Sequence, residues 1–384
     1  MATAKRGSTP SPNLSGADTT ANNLKEPLMK SHAEIKKQLI DAEEPLSDHP
    51  DIANQYELSQ LALEGYVMLD SQHYAAIQSI IEAIRTYARD SSRRRPLNII
   101  LHAEPGSGKS HFVKCLAKKL SDERIKEVTF NMSSMRSIED LAYPIDVVRD
   151  VKVTDRLPLL FLDEFDSSKE NFARLLPLLW DGEIDVGNRL LQTGKMIVIL
   201  AGSGKRVAEL MSASKKMDDA TKEEDGKLKD LLSRINGGEI SIPSLDETKG
   251  ERDRRVDKVC LAISLLRMRF GRSLTKVPWA LLRFIAMTHF QHGARSMTNL
   301  IDLIPSPNGP IDTLQFDDLH LPLSDESTFT SSNLVYHIAA SNPAEVVNLW
   351  KSLMKRKTLV TCAYPENFVS RLVGHLLKEP FFKH

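Results

Sequence analysis

A lysine and a hydroxyl side by side at the end of a glycine-rich turn, and two adjacent carboxylates further along, are the residues best equipped for chemistry in this chain. Residues Leu97 to Ser110 read LNIILHAEPGSGKS, an apolar run that stops at a turn ending in Gly108-Lys109-Ser110. Gly106 and Gly108 let the backbone curl so that several N–H groups converge on an anion. A helix starting near Lys109 adds the attraction of its positive end for phosphate. Lys109 has the reach and charge for terminal phosphates, and the Ser110 hydroxyl suits Mg²⁺. Glu104, Pro105, Gly106, Ser107, Gly108, Lys109, Ser110 and His111 together form the candidate phosphate-binding loop. The usual pattern opens with a glycine, whereas Ala103 stands in that place here.

Residues Leu157 to Asp166 read LPLLFLDEFD, a second continuous apolar run that delivers Asp163 and Glu164 at its exit. A strand apolar at every position is buried on both faces, as in a parallel sheet. Two carboxylates at its end are costly unless a cation or water engages them. Asp163 fits the Mg²⁺ side with Ser110, and Glu164 fits the group that polarises an attacking water.

With these two motifs in place the chain resembles the AAA+ ATPase family, from about Leu61 to Leu303. Three further segments follow in the family's order. Met196 to Gly204 read MIVILAGSG, a buried strand whose end carries Ser203 where the family places a polar sensor. Asp230 to Leu245 read DLLSRINGGEISIPSL, in which Arg234 matches the arginine that reaches a neighbouring subunit's γ-phosphate. Gly293-Ala294-Arg295-Ser296 matches a second sensor, with Arg295 bending back to the nucleotide. The resemblance implies ATP and Mg²⁺ as ligands and catalysis by Lys109, Glu164, Ser203, Arg234 and Arg295. It also implies a ring of copies, by family habit a hexamer. The load is open: a protein or complex to be remodelled is preferred. A nucleic-acid partner (in transposition, repair or defence against mobile DNA) is the alternative, and a non-hydrolysing scaffold is a third.

These residues need a framework. Helical spacing of Tyr74, Ile77, Ile80, Ile81 and Ile84 predicts a helix over Ser71–Arg89. Strands are expected near Leu97–His102, Val128–Asn131, Leu157–Leu162, Met196–Ala201 and Glu239–Ile242. Helices between them point to an α/β fold with a parallel sheet covered on both faces. The family adds the strand order 5-1-4-3-2 and a helical lid. Val256, Val259, Ile263, Leu266 and Phe270 form the stripe of a first lid helix, and Pro278 suits the start of another. The Asp181-Gly182 step predicts a tight turn or hairpin. Ser214 to Lys229 is charged and reads as a loop or exposed helix. Arg93-Arg94-Arg95 reads as a solvated basic run, with contact to nucleic acid or a neighbouring subunit as the alternative. The apolar stripe Val346, Leu349, Trp350 and Leu353 reads as core rather than docking surface.

Composition narrows the class. Lys+Arg and Asp+Glu both number 51 in 384 residues, so no global field draws the chain to nucleic acid or membrane. Cys115, Cys260 and Cys362 are far apart and lack metal-ligand spacing, as do His102, His111, His289 and His292. Neither a membrane span nor a signal peptide is expected, and a reducing cytoplasmic setting fits. The expected organisation is a disordered tail over 1–30, a helical segment over 31–90 and a nucleotide-binding α/β unit over 91–247. A helical lid follows over 248–304, then a linker with a small appendage over 305–384.

Overall fold

The computed structural model describes residues 33–37, 63–67, 70–187, 189–202, 223–245, 254–277, 281–282, 285–286, 290, 292–302, 304 and 309–314. The expected tail, the helix start at Pro278, the residues after Leu314 and Cys362 lie outside them, as does the stretch 203–222 with Ser203. Helix α1, Ser71–Arg89, leads into strand β1, Leu97–His102, and helix α2, Lys109–Lys119. Next come β2 (Ile125–Asn131), α3 (Ala142–Val153), β3 (Leu157–Asp163) and α4 (Glu170–Asp181). A hairpin of β4 (Glu183–Val186) and β5 (Arg189–Gln192) precedes β6 (Ile197–Gly202). The described elements end with α5 (Glu223–Ser233), β7 (Gly238–Ser241), α6 (Arg254–Phe270) and α7 (Gly293–Asp302).

Five strands form one sheet in the order β2-β3-β6-β1-β7, with every neighbouring pair parallel. The central strands β1, β3 and β6 are buried nearly throughout, which is why they read as unbroken apolar runs. Alternation sorts their side chains. Leu97, Ile99 and Leu101 pack with Ile77 and Ile81 of α1 and Phe112 of α2 on one face. Ile100, Leu160, Leu162 and Leu200 pack with Ile145, Leu175 and Leu231 on the other. A separate core joins Val259, Ile263 and Leu266 of α6 to Met297 and Leu300 of α7, with Ile35 buried among them. Among the described residues no helix is long and apolar enough to cross a membrane.

Two expectations need correction. Asp181-Gly182 is not the hairpin turn: Gly182, at φ 69°, is the left-handed residue that ends α4, and its N–H bonds the Leu178 carbonyl. The hairpin instead pairs Val186 with Arg189, and Val186 is followed by Gly187 at φ 62°. Strands two and five start at Ile125 and Gly238, before the apolar stretches that signalled them. On β2 the cause is that polar side chains alternate outward along an edge strand. The charged stretch before Arg234 ends in a helix, one of the two forms expected of it: α5 is anchored by buried Leu228 and Leu231.

Candidate nucleotide site

All three central strands stop at the same edge of the sheet, and the candidate residues gather there. The turn after β1 carries Gly106 at φ 80° and Gly108 at φ 91°, both in the left-handed region. Gly106 has a second reason to lack a side chain: a Cβ would stand 2.2 Å from the His292 carbonyl oxygen. The Arg295 N–H also donates to the Gly106 carbonyl at 3.4 Å, so the start of α7 rests directly on the loop. Gly108 caps α2, whose first residues are Lys109 and Ser110. Lys109 is buried, with Nζ 3.4 Å from the Ala103 carbonyl. The methyl of Ala103, in the place of the usual glycine, is fully buried.

At the end of β3 the Ser110 Oγ donates to Asp163 Oδ2 at 3.2 Å. Glu164 follows with φ 55° and ψ 40°, a left-handed conformation that is uncommon and costly for a residue with a side chain. Asp163 Oδ1 accepts the Glu164 N–H at 3.0 Å, and the Glu164 carbonyl accepts the Ser167 N–H at 3.0 Å. Buried Phe165 anchors the turn from below.

These groups line a cleft of about 480 Å³ between the sheet edge and helices α6 and α7. Of the expected residues it collects Pro105 to His111, Asp163, Glu164 and Arg295, whose exposed side chain stands at its wall. Glu104 is not part of the wall; its carbonyl closes the turn by accepting the Ser107 N–H at 3.2 Å. The Ser107 hydroxyl is buried without a hydrogen-bond partner among the described residues, which fits a ligand oxygen in the loop. His111 faces sideways, its Nε2 2.9 Å from the Gly65 carbonyl.

Sequence reasoning missed the far end of the cleft. Gly65, Tyr66 and Val67 face Leu261, Leu265 and Met268 of α6, an apolar slot beside the phosphate loop. The Tyr66 ring meets Phe112 of α2 edge-on at 5.1 Å, and its hydroxyl shares a 3.0 Å hydrogen bond with His73 Nε2. Burial pushes the Tyr66 phenol well above its ordinary range, so it stays neutral. Asp70 accepts the Gln72 and His73 N–H groups to cap α1, and Arg254 of α6 lies 3.7 Å from Asp70 and 3.3 Å from Asp257. The legible signal was the Asp70-Ser71 cap, which marks a helix start directly after Gly65-Tyr66-Val67.

Arg234 is not in this cleft. Its backbone carbonyl accepts from Asn98 Nδ2 at 2.9 Å, at the opposite end of β1 from the phosphate loop. The guanidinium lies on its own chain, donating to the Leu176 carbonyl and standing 3.5 Å from Asp230. Among the described residues no cluster of His, Cys, Asp or Glu has the makings of a separate metal site.

A glycine-rich turn joining a buried strand to a helix, with a hydroxyl beside a strand-end carboxylate, defines an α/β P-loop fold. Residues 99–213 match the model of the ATPase family associated with various cellular activities (AAA). That match supports an AAA+ member of the P-loop NTPase superfamily and, with it, a nucleotide-dependent ATPase. No curated protein matches the chain.

Proposed function

We propose that this chain hydrolyses ATP with Mg²⁺ in a ring of copies and uses the cycle to remodel a protein or protein complex. The observation that carries the reading is the Ser110–Asp163 contact, two hard oxygen donors 3.2 Å apart beside a buried lysine and a strained glutamate. That donor set fits Mg²⁺, which prefers oxygen ligands and keeps several waters. Ser110 and Asp163 would hold the ion, and its charge would offset that of the terminal phosphate oxygens. Lys109 and the N–H groups of the loop would bind the phosphates, with Arg295 adding charge from the helical lid that α6 and α7 would form. Glu164 would orient and deprotonate the attacking water. The apolar slot between Tyr66 and Leu265 suits a flat base.

Position argues that Arg234 serves another copy. Asn98 and His102 are four residues apart on β1, roughly 13 Å of strand at ~3.3 Å per residue. With the loop lying beyond His102, no arginine side chain at that end reaches its own nucleotide. A cation there can stabilise charge at a γ-phosphate only across an interface. Glu164 in the cleft weighs against a non-hydrolysing scaffold. A protein client and a nucleic acid are told apart by trapping with Glu164→Gln and copurifying with and without nuclease.

The test is Mg·ATP titration calorimetry on the full chain and on Lys109→Ala. Lys109→Ala should retain its fold and lose measurable affinity, because the charge facing the terminal phosphates is gone. Unchanged affinity in a folded variant would remove the phosphate-loop assignment.

A further inference from the structure

At the end of the sheet away from the cleft, two arginines share one indole. The Arg95 guanidinium carbon lies 4.2 Å from the Trp180 ring centroid, and that of Arg234 lies 5.7 Å from it. Trp180 is 44% exposed. The three residues come from three elements that are bound together beneath them. Tyr87 Oη lies 2.8 Å from the Arg95 carbonyl, and Asn236 Nδ2 donates to the Pro96 carbonyl at 3.1 Å. Asn98 Nδ2 donates to the carbonyls of both Leu179 and Arg234, at 2.7 and 2.9 Å. The backbone of this corner is therefore fixed, with Arg95 exposed and the Arg234 side chain 20% exposed.

We propose that Trp180 is the positioning residue for Arg234, holding its guanidinium at the orientation in which a second copy's nucleotide meets it. This rests on the shared-site reading above. A long flexible side chain pays ordering entropy whenever it must adopt one geometry. Three contacts remove that cost in advance: the indole, the Asp230 carboxylate and the Leu176 carbonyl in the last turns of α4. Arg95 braces the other partner of the contact, the indole itself. Two guanidiniums around one ring, with Asp230 the carboxylate beside Arg234, leave this corner positively charged and suited to a phosphate-bearing surface. Trp180 itself touches no substrate; it acts through Arg234.

The experiment compares Trp180→Ala, Trp180→Phe, Arg234→Ala and the double variant Trp180→Ala/Arg234→Ala in the full chain. Trp180→Ala should lower kcat by about tenfold with KM and ATP affinity within about twofold, because the cis half of the site is intact. Trp180→Phe, which keeps an aromatic face, should recover most of the loss. The double variant should be no slower than Arg234→Ala, and Trp180→Ala coexpressed with Lys109→Ala should regain activity as Arg234→Ala does. Normal kcat in Trp180→Ala alongside a slow Arg234→Ala would overturn the positioning role and leave the shared site standing. Normal kcat in Arg234→Ala would remove the shared site itself. Equal losses in Trp180→Ala and Trp180→Phe, with a matching fall in Tm, would make Trp180 merely structural and overturn the proposal.

Discussion

The Ser110 hydroxyl donates to the Asp163 carboxylate, joining the first turn of α2 to the exit of β3 across 53 residues of sequence. The contact exists because β1 and β3 both pair with β6 and end at the same edge. It sets a hydroxyl and a carboxylate side by side, an arrangement that a divalent cation would complete. Glu164 is the next residue, turned by its left-handed backbone away from the strand direction. The same sheet edge thus holds the two carboxylates in different settings, and we propose different tasks for them.

Glu164→Gln separates those tasks. The amide keeps the size and the hydrogen-bonding tip but cannot accept the water's proton, so turnover should fall at least ~tenfold with ATP binding retained. Steady-state phosphate release paired with calorimetry measures both. Turnover at the parent rate would shift the role of base to Asp166, two residues on.

The phosphate loop and the carboxylates were readable because their residue types alternate with buried strands, whose continuous apolar runs are hard to mistake. Helix α1 was readable because Ile77, Ile81 and Ile84 repeat on one face and are all buried. The turn at Asp181-Gly182 misled, because a glycine in the left-handed region ends helices as readily as it turns hairpins. The Tyr66 slot was obscure for another reason. Its partners Leu261 and Leu265 lie on α6, and which of that helix's faces meets the cleft depends on tertiary packing that no local pattern encodes. Likewise nothing about Trp180 in sequence announced two arginines, since Arg95 and Arg234 come from segments far away in the chain.

Gly106→Ala tests the seat between the loop and α7. The new methyl would need a left-handed backbone and would collide with the His292 carbonyl, so either the loop or the helical cluster must move. The conformational term alone costs about 1–3 kcal/mol. Both a lower Tm and at least ~tenfold weaker ATP binding are expected, by thermal unfolding and calorimetry. Parent-like values for both would show that the loop and α7 are not in contact in solution.

Stability at alkaline pH should depend on Tyr87. Burial pushes its phenol up to about 12 from an ordinary 10.0, with its oxygen enclosed by Arg95 and Met196. A folded-state value above the unfolded one means that the native state holds the proton more tightly. The contribution is whole below pH 10.0 and is lost as pH rises through about 12. Tyr87→Phe should lower Tm at neutral pH, by removing buried hydrogen bonds, yet fall less steeply between those values. Parallel Tm curves for the two proteins across that window would mean that Tyr87 is not what titrates.

Arg234→Ala is expected to bind ATP nearly as the parent does and to hydrolyse it poorly. Its guanidinium is at the far end of β1 from the phosphate loop, so the cis contacts of Lys109, Ser110 and Asp163 are untouched. What is lost is positive charge delivered to a neighbouring copy as the transition state develops, an effect often worth several orders of magnitude in rate. Arg234→Ala and Lys109→Ala are then complementary defects: the first keeps a competent cleft, the second keeps a competent arginine. In a mixed assembly one type of interface joins the intact cleft to the intact arginine, so coexpression of the two should give activity that neither shows alone. The parent's rate per subunit should also fall on dilution as copies separate. A constant rate per subunit, in a species that light scattering shows to be monomeric, would rule out sites shared between copies.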